Sequence, residues 1–141
     1  MTIQAVLLPL FVEVALTFVL LFSTGYLRTR ALKTGAVAPR DIALREHGWP
    51  ARTAQFGNAY QNQLELPVLF YVLTILAWIT RHADFLFVIM AWIFVALRLV
   101  HAYIHVTDND VGRRGPIFGI GALVLALMWA IFMIRLLLGL P

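Results

Sequence analysis

Two apolar stretches of this 141-residue chain each carry a row of polar residues at helical spacing: Asn58, Asn62 and Glu65 in one, and Arg98, His101 and His105 in the other. Residues three and four apart share one helix face, so each row presents its functional groups in a single direction. The rows are mirror-placed about the polar turn at 81–84. Two antiparallel helices folding back there bring Asn58 level with His105, Asn62 with His101 and Glu65 with Arg98. Ionisable groups inside a membrane are expensive, and they face a bundle interior, a cavity or one another. The chemistry on offer is recognition of an anion. Arginine grips a carboxylate through two parallel hydrogen bonds, a neighbouring carboxylate accepts from ammonium or amide groups, and asparagines are adaptable contacts. The competing reading is a buried Glu65–Arg98 ion pair that only fixes helix register.

Other candidates are weaker. His101 and His105 stand at i and i+4, a spacing that suits a metal, but no HExxH is present and no acid shares their helix face. His47 and His82 fall in connections. No metal and no haem are expected. Glu13 is a second acid deep in an apolar stretch; it either bonds across an interface or serves a small proton-coupled exporter. Arg28 closes the first stretch, and Arg113 and Arg114 open the last, where a helix N-terminus favours an anion. Arg28, with Tyr26 and Arg30 beside it, is also a candidate to line the mouth of the polar slot. The default role of these basic residues is to anchor spans at lipid headgroups, so the net charge of +4 does not point to nucleic acid.

The elements that must position these residues are membrane spans. The chain is 62% hydrophobic and only 13% charged, against about 25% charged in soluble domains. Its mean hydropathy is +0.86. Four stretches, 3–27, 56–80, 85–106 and 116–140, are long enough to cross a bilayer. The expectation is therefore an all-α transmembrane four-helix bundle, a single domain over 1–141. Pro67 favours a kink in the second span, Pro9 lies near the start of the first, and Pro116 suits the first turn of the fourth. Gly119 and Gly121 permit close helix approach. Met1–Ala5 has no basic residue and the first span ends in a basic cluster, so it reads as a retained span. Cysteine is absent, which removes disulfides and a catalytic thiol.

Loops 28–55 and 107–115 share one side and hold Arg28, Arg30, Lys33, Arg40, Arg45, Arg52, Arg113 and Arg114. The positive-inside rule puts that side in the cytoplasm and both termini outside, in a membrane expected to be a bacterial inner membrane. The middle of the long loop, 39–47, has the composition of a short surface helix. The polar slot then opens toward the cytoplasmic interface.

At this point the chain resembles the MAPEG family, the membrane-associated proteins of eicosanoid and glutathione metabolism. The resemblance covers nearly the whole chain. Its motifs are Thr24-Gly25-Tyr26-Leu27-Arg28-Thr29-Arg30, Asn62-Gln63-Leu64-Glu65 with Pro67 and Phe70, Arg98-Leu99-Val100-His101, and Arg114-Gly115-Pro116. It implies a homotrimer in which glutathione sits between neighbouring subunits near the cytoplasmic leaflet. It further implies that Arg28, Asn62, Glu65, Arg98 and His101 contact or shape a glutathione site, with His105 where several relatives carry tyrosine. Active members stabilise the glutathione thiolate for attack on a lipophilic electrophile, others are isomerases or peroxidases, and some bind lipid without chemistry. Two departures stand out. Several catalytic members have an arginine about four residues after the Arg114 position, followed by a small hydroxyl residue; here Phe118 and Gly119 stand there. Pro67 also lies closer to Glu65 than in the usual motif.

Overall fold

A computed structural model describes residues 1–44 and 48–141. Five α-helices build four spans: α1 (Ile3–Lys33), α2 (Ala51–Asn62) followed by α3 (Leu66–Ile79), α4 (Phe85–Val106) and α5 (Val111–Leu137). Each span is long and apolar enough to cross a membrane, with α2 and α3 together making the second. Among the described residues there is no strand.

The helix ends follow their local chemistry. Thr2 and Asp84 cap α1 and α4, each accepting from the third backbone N–H beyond it, and Asp110 caps α5 through Gly112 N–H. Arg30 and Lys33 close α1, where cations offset the partial negative charge of the helix end. Arg81 takes φ +62 after α3, and the turn is tied by His82 N–H to the Ala77 carbonyl at 2.8 Å.

The expected span limits shift at three places. Helix α1 runs six residues past Leu27, α2 starts at Ala51, and α5 starts at Val111, which puts Pro116 inside the helix. The long loop shrinks accordingly. Its middle forms a 3-10 turn at Pro39–Ile42 rather than a longer surface helix; Arg45, Glu46 and His47 of that expectation lie outside the described residues.

The predicted kink in span two is a full break. Helix α2 stops at Asn62 and α3 begins at Leu66, with Pro67 in its first turn. Proline has no N–H to give back to the preceding turn, and its ring clashes there, so the ladder ends before it. This break sets which side chains of span two face inward.

The bundle interior is layered. One apolar cluster, away from the long loop, packs Val6, Phe70, Leu73, Phe94, Leu125 and Met128 among others. The second, toward the loop, packs Leu20, Ala59 and Ala102. Helix α4 lies against both α1 and α5, while α2 and α3 close the bundle against α1 and, in turn, α4 and α5. Between the clusters sits a polar layer, and it holds the largest fully buried side chain, Arg98.

Candidate functional site

The polar layer is built by α1, α4 and the α2–α3 break. Glu13 stands seven residues from both Val6 and Leu20, Gln63 seven before Phe70, and Arg98 seven after Ala91, and all of these side chains are buried. A seven-residue step is close to two helical turns, so Glu13 and Arg98 lie on the helix faces that pack the core, while Gln63 is turned inward at the α2–α3 break.

Arg98 points to Glu13. Its Nε lies 3.8 Å from Glu13 Oε1, with both side chains nearly inaccessible. The Gln63 amide completes the layer when its nitrogen faces the acid: it donates to Glu13 Oε1 at 2.6 Å and accepts from Arg98 Nη2 at 3.1 Å. Arg98 Nη2 also donates to the Asn62 carbonyl at 3.2 Å. That carbonyl belongs to the last turn of α2, where backbone acceptors lose their helical partners and a cation is favoured. The charge of Arg98 is thus offset by a carboxylate, an amide and a helix end. Thr17 lies 3.5 Å from both the Gln63 amide and the Tyr71 hydroxyl.

The Glu65–Arg98 pairing expected from the mirrored rows is not formed. Glu65 is exposed on the surface of the single chain and has backbone angles of φ −99 and ψ −105, outside the helix. The break rotates it off the face that Asn62 still occupies, and Gln63 and Glu13 take its place. Asn58 does not meet His105 either; its side chain is exposed, and its carbonyl accepts from Asn62 at 3.4 Å. Asn62 reaches His105, one turn beyond His101, with Nδ2 and Nδ1 3.4 Å apart.

A second polar tier lies one to two turns toward the long loop. His105 Nε2 is 2.9 Å from Arg114 Nη1. Arginine has only hydrogens to offer, so Nε2 accepts and the ring proton sits on Nδ1, where the Asn62 Nδ2 amino group is a neighbour and not an acceptor. His101 packs edge-on against His105 with ring centroids 5.6 Å apart. Phe118 covers this tier: its ring lies 5.7 Å from the His101 ring and 5.9 Å from the Arg98 guanidinium carbon. Three buried nitrogens of this tier, Arg98 Nη1, His101 Nδ1 and Arg114 Nε, have no hydrogen-bond partner, and Arg98 Nε faces Glu13 only at 3.8 Å. Buried donors without acceptors are rare in folded proteins and mark a functional or unfilled site.

The remaining sequence candidates form the periphery. Arg28 lies over the Trp49 ring at 5.1 Å and against α2 at Gly57, where an added Cβ would stand 3.2 Å from Arg28 Nη2. Arg113 pairs with Asp108 at 2.7 Å on the surface. Two residues that the mirrored rows did not include tie the tiers to the loop side. Gln55 donates to the carbonyls of His105 and Thr107 at 2.8 and 3.0 Å, and Arg52 donates to that of Val106, so α2 caps the C-terminus of α4.

The structure therefore brings together Asn62, Arg98, His101, His105 and Arg114, and adds Glu13 and Gln63. It leaves Arg28, Asn58, Glu65 and Arg113 outside that cluster. No curated protein and no solved structure was found to match the chain. The family model described as MAPEG family does match, over residues 6–134. Nearly the whole membrane domain, both polar tiers included, falls within that match, and the chain belongs to the MAPEG family.

Proposed function

We propose that this MAPEG protein binds glutathione, or a similar anionic thiol, at the loop-side tier of Arg98, His101, His105 and Arg114, and uses it on a lipophilic electrophile or hydroperoxide drawn from the bilayer. The observation that carries the reading is the set of buried nitrogens in this tier, Arg98 Nη1, His101 Nδ1 and Arg114 Nε, that have no hydrogen-bond partner. Carboxylates and a thiolate supply acceptors, and inside a membrane these pair with guanidinium groups more strongly than in water. In conjugation the thiol gives its proton to water, the sulfur forms a bond to an electrophilic carbon, and the displaced electron pair leaves with the departing group or settles in the acceptor's π-system, which then takes a proton from water. His105, neutral and held by Arg114, is placed to shape this tier.

Glu65 and Asn58 belong to this reading as outward groups. An exposed carboxylate within a membrane span is costly against lipid, so we place Glu65 at the contact with a second subunit of a homotrimer. There Arg28 of a neighbour, next to the long loop, is the matching cation. The basic loop 28–55 lies in the cytoplasm in this reading, with the termini outside, in the inner membrane of a bacterium.

The test is calorimetry with glutathione on purified protein in detergent, followed by turnover with an aryl halide and with an organic hydroperoxide. Saturable binding that weakens at least tenfold in Arg98→Ala and Arg114→Ala supports the site; no binding to folded protein ends it. One observation favours a second reading, a lipid-binding member without chemistry. Phe118 fills the position where the resemblance to catalytic members calls for arginine, and its ring covers the donors. Lipid retention without turnover of either substrate decides for that reading.

A further inference from the structure

We infer that anion binding at Arg98 is coupled to the uptake of one proton by Glu13. The inference rests on the anion-site reading given above and adds its regulation. As folded, the interior layer is neutral: one carboxylate, one guanidinium, 3.8 Å apart, both shielded from outside. Among the described residues, the other polar groups facing Glu13 are uncharged. They are Thr17 on its own helix, Gln63 at the α2–α3 break and Tyr71 on α3. Arg98 is therefore the counter-ion of Glu13, and Glu65 acts on Arg98 only from the exposed surface.

An anion that takes the unpartnered Arg98 Nη1 competes with Glu13 for the one fully buried guanidinium, because Arg114 is only half-buried, lies nearer the loop and answers the anion without facing Glu13. A low-dielectric interior does not hold an uncompensated carboxylate; the group neutralises by taking a proton. The atom placed to receive it is Glu13 Oε2, which is buried and has no hydrogen-bond partner, while Oε1 stays engaged with Gln63. His101 and Arg114 lie farther along α4 and α5, on the other side of Arg98, so they meet the anion rather than Glu13. Binding one anion and one proton together keeps the layer neutral.

The test uses full-length protein in detergent and S-methylglutathione, whose blocked sulfur cannot ionise, so no proton counted comes from a thiol. Titration calorimetry in buffers of different ionisation enthalpy reports the protons taken up per ligand. The expected result near neutral pH is one proton for the wild type and none for Glu13→Gln, which keeps the shape and the bond to Gln63. Wild-type affinity should fall about tenfold per pH unit as pH rises, the slope of a one-proton linkage. The ligand should also raise a new carboxyl C=O band in the infrared, which a histidine proton would not produce. The last two readouts need no variant, so they stand if Glu13→Gln does not fold. Binding without proton uptake, or uptake that persists in folded Glu13→Gln, overturns the coupling and leaves the site reading intact. No binding at any pH overturns both.

Discussion

Glu13 on α1 and Arg98 on α4 lie 3.8 Å apart in the bundle interior, and both side chains are almost fully buried. A pair of this kind is costly to bury, and its geometry does not fully repay the desolvation. Gln63 and the carbonyl end of α2 supply the hydrogen bonds that a single carboxylate leaves unmade. The layer's energetic weight lies in what happens when one partner is removed.

Glu13→Leu leaves Arg98 charged and without its counter-ion. The expected loss of stability is about 3–5 kcal/mol, the usual penalty for breaking a buried pair from one side. Glu13→Leu combined with Arg98→Met should recover most of that loss, because no charge is then stranded. Unfolding in mixed micelles measures both. A double variant as damaged as the single would mean that the pair does not act as a unit.

Gln63 and Glu65 make a sharper comparison, because they are two residues apart and differ in burial. Gln63 is 1% exposed and bridges two charged side chains, so Gln63→Leu should cost about 1–3 kcal/mol through unsatisfied buried groups. Glu65→Gln alters an exposed side chain, and its effect on the stability of one chain should stay within about 0.5 kcal/mol. Loss of trimer or of ligand affinity in Glu65→Gln, without loss of folding, is the pattern expected of an outward contact. The reverse ranking of the two variants would contradict the inward placement of Gln63.

These residues also show what the sequence made legible. Span count and the antiparallel return at 81–84 were readable, because the bilayer imposes apolar length on composition. The inward direction of Arg98, His101 and His105 was readable from helical spacing on an unbroken helix. The other row failed after Asn62, because its regular spacing assumes a continuous helix and the chain breaks at Gln63–Glu65. The partner of Arg98 was therefore assigned two residues too late and on the wrong helix. A seven-residue step from Val6 to Glu13 on the unbroken α1 carried a correct signal in the sequence itself, whereas Gln63 sits in the break, where helical spacing gives none.

Asp84 provides the pH-dependent prediction, at the turn joining α3 to α4. Burial pushes its carboxyl up, but hydrogen bonds from Phe87 N–H and Arg135 outweigh this, and the folded carboxyl titrates below its ordinary value. Arg135 Nη1 holds it at 2.7 Å. A carboxyl with a depressed folded value contributes stability that is complete above its unfolded value, about 3.9, and that is lost as pH falls through the folded value. Asp84→Asn, which can still cap α4, should therefore unfold at a lower temperature than wild type at pH 7. The difference should shrink below about pH 4. A gap of constant size down to strong acid would rule out this ionisation as its source.

Phe118→Arg tests the aromatic cover of the second tier. The wild-type ring lies against both His101 and Arg98, and Arg114 stands one turn before it on α5. An arginine there gathers three guanidinium groups around one buried space, and like charges in a low-dielectric site repel. Without ligand, the variant should unfold at a lower temperature than wild type. Glutathione offers the acceptors that three cations need, so it should restore the variant by more than it raises the wild type. A ligand at one hundred times its dissociation constant stabilises by about 2.7 kcal/mol, so a tighter complex at fixed concentration gives a larger thermal shift. An unliganded variant as stable as wild type would show that the arginine escapes to the surface. A shift no larger than wild type, in a variant that is destabilised without ligand, would show that glutathione does not occupy the space beside Phe118.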